Sequence, residues 1–166
     1  MKKLGQLIVG IVLLQAGCDD DDNGGVVPPI DEGTAFSVAL SPSAEVPACA
    51  AAGFYATGAA RIVISSDGST VMVENLTFSD LSGPATAAHI HAGVPGVAGP
   101  IVLDMGTTNL TPPINRMFTE ANYPAPPPAG APADFATFTR QMESGATYVN
   151  VHTAACPTGE VRGQLQ

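Results

Sequence analysis

Tryptophan and basic residues are what this sequence lacks most. Tryptophan is absent, and lysine occurs only at positions 2 and 3, so the rest of the chain has four arginines against 15 acidic residues. Without the two lysines the net charge is −11. Such a chain has no basic surface that neutralises phosphate groups, which excludes nucleic acids and anionic lipid surfaces as partners bound by charge.

Long hydrophobic runs are also scarce. The run from Leu4 to Leu14 follows the basic start Met1-Lys2-Lys3 and is shorter than the roughly 20 residues that span a bilayer. The stretch Leu14-Gln15-Ala16-Gly17-Cys18 resembles the cleavage box of bacterial lipoproteins. We therefore predict a lipoprotein-type signal peptide over residues 1–17 and lipidation of Cys18. A plain signal peptide cleaved nearby is the alternative.

An acidic and glycine-rich stretch follows the cysteine. Four aspartates, Asp19–Asp22, precede Asn23, Gly24 and Gly25. Residues 18–33 cannot bury enough apolar surface to offset the entropy of ordering them. We predict a disordered tether that holds a folded domain away from a membrane of the bacterial cell envelope, on the periplasmic or outer side.

The remaining residues, 34–166, have the pattern of a mainly β domain. Gly and Pro together number 33 of the 166 residues of the whole chain, which favours turns and short strands over long helices. Alternating apolar residues predict about seven or eight strands, and Phe135, Phe138 and Met142 predict one short helix capped by Asp134. We expect an antiparallel, Greek-key-like sandwich or small barrel. The proline-rich stretch 107–133 is predicted to be a surface excursion.

Two cysteines remain beyond the predicted lipidation site. Cys49 and Cys156 both lie in predicted loops, and the leader predicts an oxidising compartment. We therefore predict a disulfide between them. Two free thiols, or one thiol that acts as a metal ligand, are the alternatives.

The histidines form the clearest candidate site. His89 and His91 are two residues apart on a predicted strand, so both point to one face, while Ile90 points to the core. The hairpin predicted for the last two strands places His152 on an outer face opposite Glu160, with Asn150 opposite Arg162. Three imidazoles suit Cu or Zn, with Glu160 as the partner that orients His152. The alternative is a hydrogen-bonded network under the proline-rich loop.

These motifs resemble a known family. The segments Ala88–His91, Tyr148–Thr153 and Gly159–Leu165, with Gly93, Gly96, Gly99-Pro100 and Glu45-Val46-Pro47, look like the CHRD domain, which is named for chordin. The resemblance spans about residues 34–166 and implies an extracellular β domain that binds a partner. The arrangement of histidines is also similar to the copper site of Cu/Zn superoxide dismutases.

Three functions therefore remain open at this point. The first is a non-enzymatic envelope lipoprotein that presents a binding or structural module to an unidentified protein partner. The second is a periplasmic copper- or zinc-binding protein. The third is a small metalloenzyme of the dismutase type. No serine lies in a recognisable nucleophile elbow, so no catalytic residue is predicted.

Overall fold

The structure is a computed structural model that describes residues 31–108 and 110–166. Within these residues the chain forms two antiparallel four-stranded sheets and one α-helix. In chain order the elements are β1 (Glu32–Leu40), β2 (Thr57–Ser65), β3 (Thr70–Ser79), β4 (Ala85–Ala92), β5 (Ile101–Thr107), β6 (Ile114–Thr119), α1 (Phe135–Glu143), β7 (Thr147–Thr153) and β8 (Val161–Gln164). The predicted mainly β fold is confirmed as a sandwich, and it is not a closed barrel.

The predicted N-terminal features fall largely outside these ranges. The signal peptide over 1–17, the lipidation of Cys18 and the tether up to residue 30 lie outside the described residues. Within the described ranges, no helix is long and apolar enough to cross a membrane.

The first sheet has the strand order β1-β2-β3-β6. Alternation places one side chain in two on the inner face, as in β1, where Phe36, Val38 and Leu40 are buried. The β2–β3 hairpin turns at Asp67 and Gly68, and the Asp67 carboxylate accepts from the backbone N–H of Ser69. Local sequence patterns therefore predict β1, β2 and β3 of this sheet.

That last strand corrects the prediction for the proline-rich stretch. Residues 107–133 were expected to be a surface excursion, yet β6 pairs with β3 and completes the first sheet. Ile114 and Phe118 of β6 are buried in the core. The prolines on either side of β6 indicate turns and therefore favoured the prediction of a loop. No proline lies within β6 itself.

The helix has the predicted position and cap. The Asp134 side chain accepts from the backbone N–H of Thr137 at 2.7 Å, which satisfies one of the free donors at the helix start. Phe135, Phe138 and Met142 are buried among the core residues of both sheets. The helix thus contributes its apolar side to the shared core.

The second sheet has the order β5-β4-β7-β8 and carries the histidines. Ile90, Val149, Val151 and Val161 are fully buried and belong to the core, as the alternation predicts. The neighbouring edges of the two sheets meet at Ser41 and Arg162, whose backbone groups form two hydrogen bonds of 3.0 and 3.1 Å. The sheet therefore turns its other face, with the histidines, away from the core.

Candidate metal site

The three histidines lie together on the outer face of the second sheet. His89 and His91 are on β4, and His152 is on the adjacent strand β7. Their rings form a cluster in which the His89 and His152 centroids are 4.8 Å apart. The face is not open to solvent, however, because His89, His91 and His152 are only 8%, 6% and 6% exposed.

The segment Gly93–Pro100 covers part of this face. Arg162 on β8 donates to the carbonyl oxygens of Val97 and Val94 at 3.0 and 3.2 Å, and Gln164 donates to Gly93 at 2.9 Å. Arg162 and Gln164 therefore hold this glycine-rich segment over the face, where the proline-rich loop was predicted to lie. The proline-rich stretch instead contributes β6 to the opposite sheet.

Gly99 brings this segment into contact with the site. A β carbon at Gly99 would overlap the carbonyl of Ala92, so only glycine fits at this position. The Gly99 carbonyl oxygen lies 2.9 Å from His91 Nδ1. Because a carbonyl oxygen only accepts, His91 Nδ1 must carry the proton, which leaves Nε2 as a bare lone pair.

His152 is held in the same way. Its Nδ1 lies 3.1 Å from the carbonyl oxygen of Pro157, so Nδ1 carries the proton and Nε2 has a lone pair. That Nε2 lies 3.0 Å from His89 Nδ1. His91 Nε2 is buried and has no hydrogen-bond partner among the described residues. Backbone carbonyls therefore fix two of the three rings with a lone pair available for a ligand.

The spacing of the ring nitrogens suits one shared ion. One nitrogen from each histidine lies within 4.8 Å of the others. Three atoms so spaced all lie within about 2.8 Å of a common point, against Zn–N bonds of about 2.0–2.1 Å. The separation of 3.0 Å between His89 Nδ1 and His152 Nε2 is near the roughly 3.3 Å expected for two tetrahedral ligands. Small side-chain rotations would complete the site.

The histidines are neutral at pH 7. Burial lowers the pKa of His89 to about 4, with a further contribution from His152. Burial also lowers the pKa of His91 to about 4 and that of His152 below its ordinary value, although the Gly99 and Pro157 carbonyls oppose these shifts. Neutral imidazole is the form that binds metal ions, so protons compete little with an ion at this pH.

Glu160 does not have the predicted contact with His152. Its carboxylate accepts from the backbone N–H groups of Gly53 and Ser82 at 2.9 and 2.6 Å, and from the Ser82 and Thr153 hydroxyls at 2.6 Å each. Burial opposes its ionisation, but these hydrogen bonds prevail and keep the pKa of Glu160 below its ordinary value. Glu160 thus joins three segments of chain, while Pro157 orients His152.

The sequence did not indicate the contacts of two neighbours of the cluster, the aromatic Tyr148 and the charged Arg162. The Tyr148 ring stacks on His91, with centroids 4.7 Å apart and planes 9° apart. The Arg162 guanidinium lies 3.5 Å from the centre of the same ring. Because Tyr148 lies between β4 and β8, it joins the histidine cluster to the charged end of the face. The alternation of strand residues assigned these side chains to this face without indicating the stacking.

Glu45, which the sequence indicated only as part of the family motif Glu45-Val46-Pro47, also contacts the outer face. Its carboxylate oxygen Oε2 accepts from Asn150 at 3.3 Å, and Oε1 has no hydrogen-bond partner among the described residues. Burial raises the pKa of Glu45 to about 7, although Asn150 and Arg162 favour the charged form. The loop between β1 and β2 therefore contacts the outer face of the second sheet through a carboxyl group that titrates near neutrality.

The predicted disulfide is confirmed and lies beside the site. Cys49 and Cys156 are bonded, with their Cα atoms 5.8 Å apart. Cys156 precedes Pro157, whose carbonyl oxygen orients His152. The disulfide thus ties the loop that carries this carbonyl to the loop that carries Gly53.

Comparison with known proteins gives one match. The family model described as the CHRD domain matches residues 36–165, which include every strand from β2 to β8 and most of β1. No curated protein and no solved structure matches the chain. The match covers the whole candidate site.

Proposed function

The chain belongs to the CHRD domain family, and from its histidine cluster we propose that the domain binds one Cu or Zn ion through His89, His91 and His152. The observation that carries the proposal is the buried Nε2 of His91, which has no hydrogen-bond partner among the described residues. A buried nitrogen lone pair without a partner costs about 1–3 kcal/mol, and a bound cation would remove that cost.

The donor set determines the kind of ion. Three neutral imidazoles suit Zn and Cu better than Ca or Mg, which prefer oxygen ligands. Two of the three proposed ligands also have an outer contact, since Gly99 and Pro157 accept from His91 and His152. Such outer contacts are typical of metal-binding histidines. Among the described residues the cluster has three members, which leaves a coordination position for water or another small ligand.

The location of the protein is part of the proposal. CHRD domains are extracellular or secreted, and the disulfide requires an oxidising compartment. We propose that Cys18 is lipidated and anchors the domain in the cell envelope. Labelling of cells with a fatty-acid probe tests this: the wild-type chain should be labelled and a Cys18→Ser variant should not. Equal labelling of the two would contradict the anchor.

Metal affinity can be tested on untagged protein. We expect one Zn²⁺ per chain at pH 7 in a chelator competition titration. His91→Phe should retain the stacking on Tyr148 and lose the ligand, so affinity should fall at least 100-fold while the unfolding midpoint changes little. Glu120→Gln, an exposed acid distant in sequence from the site, is the control and should bind as wild type. Wild-type protein that binds no Zn²⁺ or Cu²⁺, or a variant that binds equally well, would contradict the proposal.

A protein-binding module is a second candidate, supported by an exposed aromatic pair. Phe54 and Tyr55 are 91% and 76% exposed, and their rings pack edge to face with centroids 4.9 Å apart. Exposed aromatic residues are common anchors in protein interfaces. A photo-crosslinker at position 54 should then capture one partner in cells. Replacing Tyr55 by serine should reduce that capture and leave the metal content unchanged.

A further inference from the structure

An acidic residue on the neighbouring strand β5 faces His89. Asp104 on β5 is the cross-strand neighbour of His89 on β4, and its Oδ1 lies 3.9 Å from His89 Nε2. The backbone N–H of Gly106 donates to the same oxygen at 2.7 Å, which fixes the carboxylate beside the ring. The Asp104 side chain is 58% exposed, so it lies between the buried cluster and solvent.

The protonation of the cluster without an ion follows from its hydrogen bonds. His152 Nε2 is a lone pair because Nδ1 donates to Pro157. The 3.0 Å contact between His152 Nε2 and His89 Nδ1 therefore requires the proton on His89 Nδ1. His89 is neutral, so its Nε2 is then a lone pair that faces the Asp104 carboxylate. Two acceptors that face each other repel, which makes this state unfavourable on the Asp104 side.

An ion reverses this arrangement. We propose that Asp104 is a positioning residue that favours the metal-bound form of His89, and that metal binding moves the His89 proton from Nδ1 to Nε2. His89 Nδ1 then faces the ion beside His152 Nε2, and the new Nε2–H donates to Asp104. The ring exchanges one proton for another through solvent and stays neutral. The inference rests on the proposed metal binding, and it assigns to Asp104 the role that the sequence predicted for Glu160.

Asp104 therefore has opposite effects on the ion-free and the ion-bound cluster. Asp104 repels the Nε2 lone pair when no ion is bound and accepts a hydrogen bond from Nε2–H when one is bound. Asn at this position keeps the oxygen that accepts from Gly106 N–H and faces Nε2, but it lacks the negative charge, so it accepts more weakly from Nε2–H in the ion-bound form. Replacement of an outer carboxylate in a metal site typically reduces affinity by about 10–100-fold, and we expect a loss in this range for Asp104→Asn.

The test uses the full chain labelled with ¹⁵N-histidine and titrated with Zn²⁺ at pH 7. In wild-type protein, ¹⁵N–¹H correlation spectra should show the His89 proton on Nδ1 before Zn²⁺ and on Nε2 after it. Asp104→Asn should bind Zn²⁺ about 10–100-fold more weakly and unfold at an unchanged urea concentration. Glu120→Gln is again the control, with wild-type affinity and wild-type spectra.

The outcomes separate the two proposals. If wild-type protein shows no histidine shifts with Zn²⁺, the proposed function fails, and this inference fails with it. If wild-type protein binds Zn²⁺ and Asp104→Asn binds equally well, only the role of Asp104 is overturned. A His89 proton already on Nε2 without the ion, or Zn²⁺ bound to Nε2, would also overturn it.

Discussion

The replacement of Glu160 by glutamine tests how the outer face is held together. The Glu160 carboxylate accepts four hydrogen bonds, two from backbone N–H groups and two from the Ser82 and Thr153 hydroxyls. Backbone donors cannot turn, so the amide of a glutamine must keep its oxygen towards Gly53 and Ser82. Its NH₂ group then faces the two hydroxyls, which must rotate to accept.

The expected cost follows from this count. Hydrogen bonds to a charged group contribute about 1.5–3 kcal/mol each, against about 1 kcal/mol for neutral ones. Glu160→Gln makes all four bonds neutral and forces two to reverse, so we expect a loss of about 3 kcal/mol. For a domain of this size the midpoint of thermal unfolding should fall by about 10 °C.

Urea unfolding at pH 7 measures the loss, with Glu74→Gln as the matched control. Glu74 forms an ion pair with Arg61, but both side chains are about a third exposed, at 34% and 38%, so this change should cost under about 1 kcal/mol.

Because the pKa of Glu160 is lowered in the folded state, its contribution to the free energy of unfolding is present at neutral pH and is lost on acidification below the ordinary carboxyl range. The difference between wild type and Glu160→Gln should shrink accordingly.

The same variant separates two roles for Glu160. If the carboxylate only joins chain segments, the folded variant should bind Zn²⁺ as tightly as wild type. A loss of stability no larger than that of Glu74→Gln, or a tenfold loss of Zn²⁺ affinity in the folded variant, would refute the reasoning.

Three further predictions concern the surroundings of the site. Replacing Cys49 and Cys156 by alanine should lower the free energy of unfolding by about 4–5 kcal/mol, since the bond joins residues 107 positions apart; a urea titration that shows under about 1 kcal/mol would contradict this. Because the pKa of Glu45 is raised to about 7, the stability that its protonated form contributes is lost as pH rises. Urea unfolding should therefore show Glu45→Gln gaining stability over wild type between about pH 5 and pH 8. A difference in unfolding free energy that stays constant with pH would argue against this. Gly99→Ala should weaken Zn²⁺ binding at least tenfold because its β carbon overlaps the Ala92 carbonyl, whereas Gly83→Ala, with no atom within 4 Å of its β carbon, should bind as wild type.

Local patterns in the sequence predict most of the fold because alternation and turn residues act over short distances. The turn at Asp67-Gly68 and the cap at Asp134 are such signals, and both are present. The strand β6 was missed because its pairing with β3 joins residues 38 to 49 positions apart in the chain. No local pattern records that partner, and the flanking prolines indicate only turns.

The site was predicted in its members but not in its contacts. Strand alternation assigned His89, His91 and His152 to one face, and the hairpin register placed Asn150 opposite Arg162, as observed. Glu160 was assigned to His152 because the register brings their strands together, whereas loop conformation directs its carboxylate to Gly53 and Ser82. The carbonyl oxygens of Gly99 and Pro157 come from loops, so no residue type in the sequence indicated them.

The most direct test of the proposed metal site is the coordination of an added ion. X-ray absorption spectroscopy on untagged protein loaded with one equivalent of Zn²⁺ should show about three imidazole nitrogens at about 2.0–2.1 Å. His91→Phe should lose one of these nitrogens or the ion itself. A spectrum of aqueous or oxygen-bound zinc in the wild-type protein, with no imidazole scattering, would contradict the account.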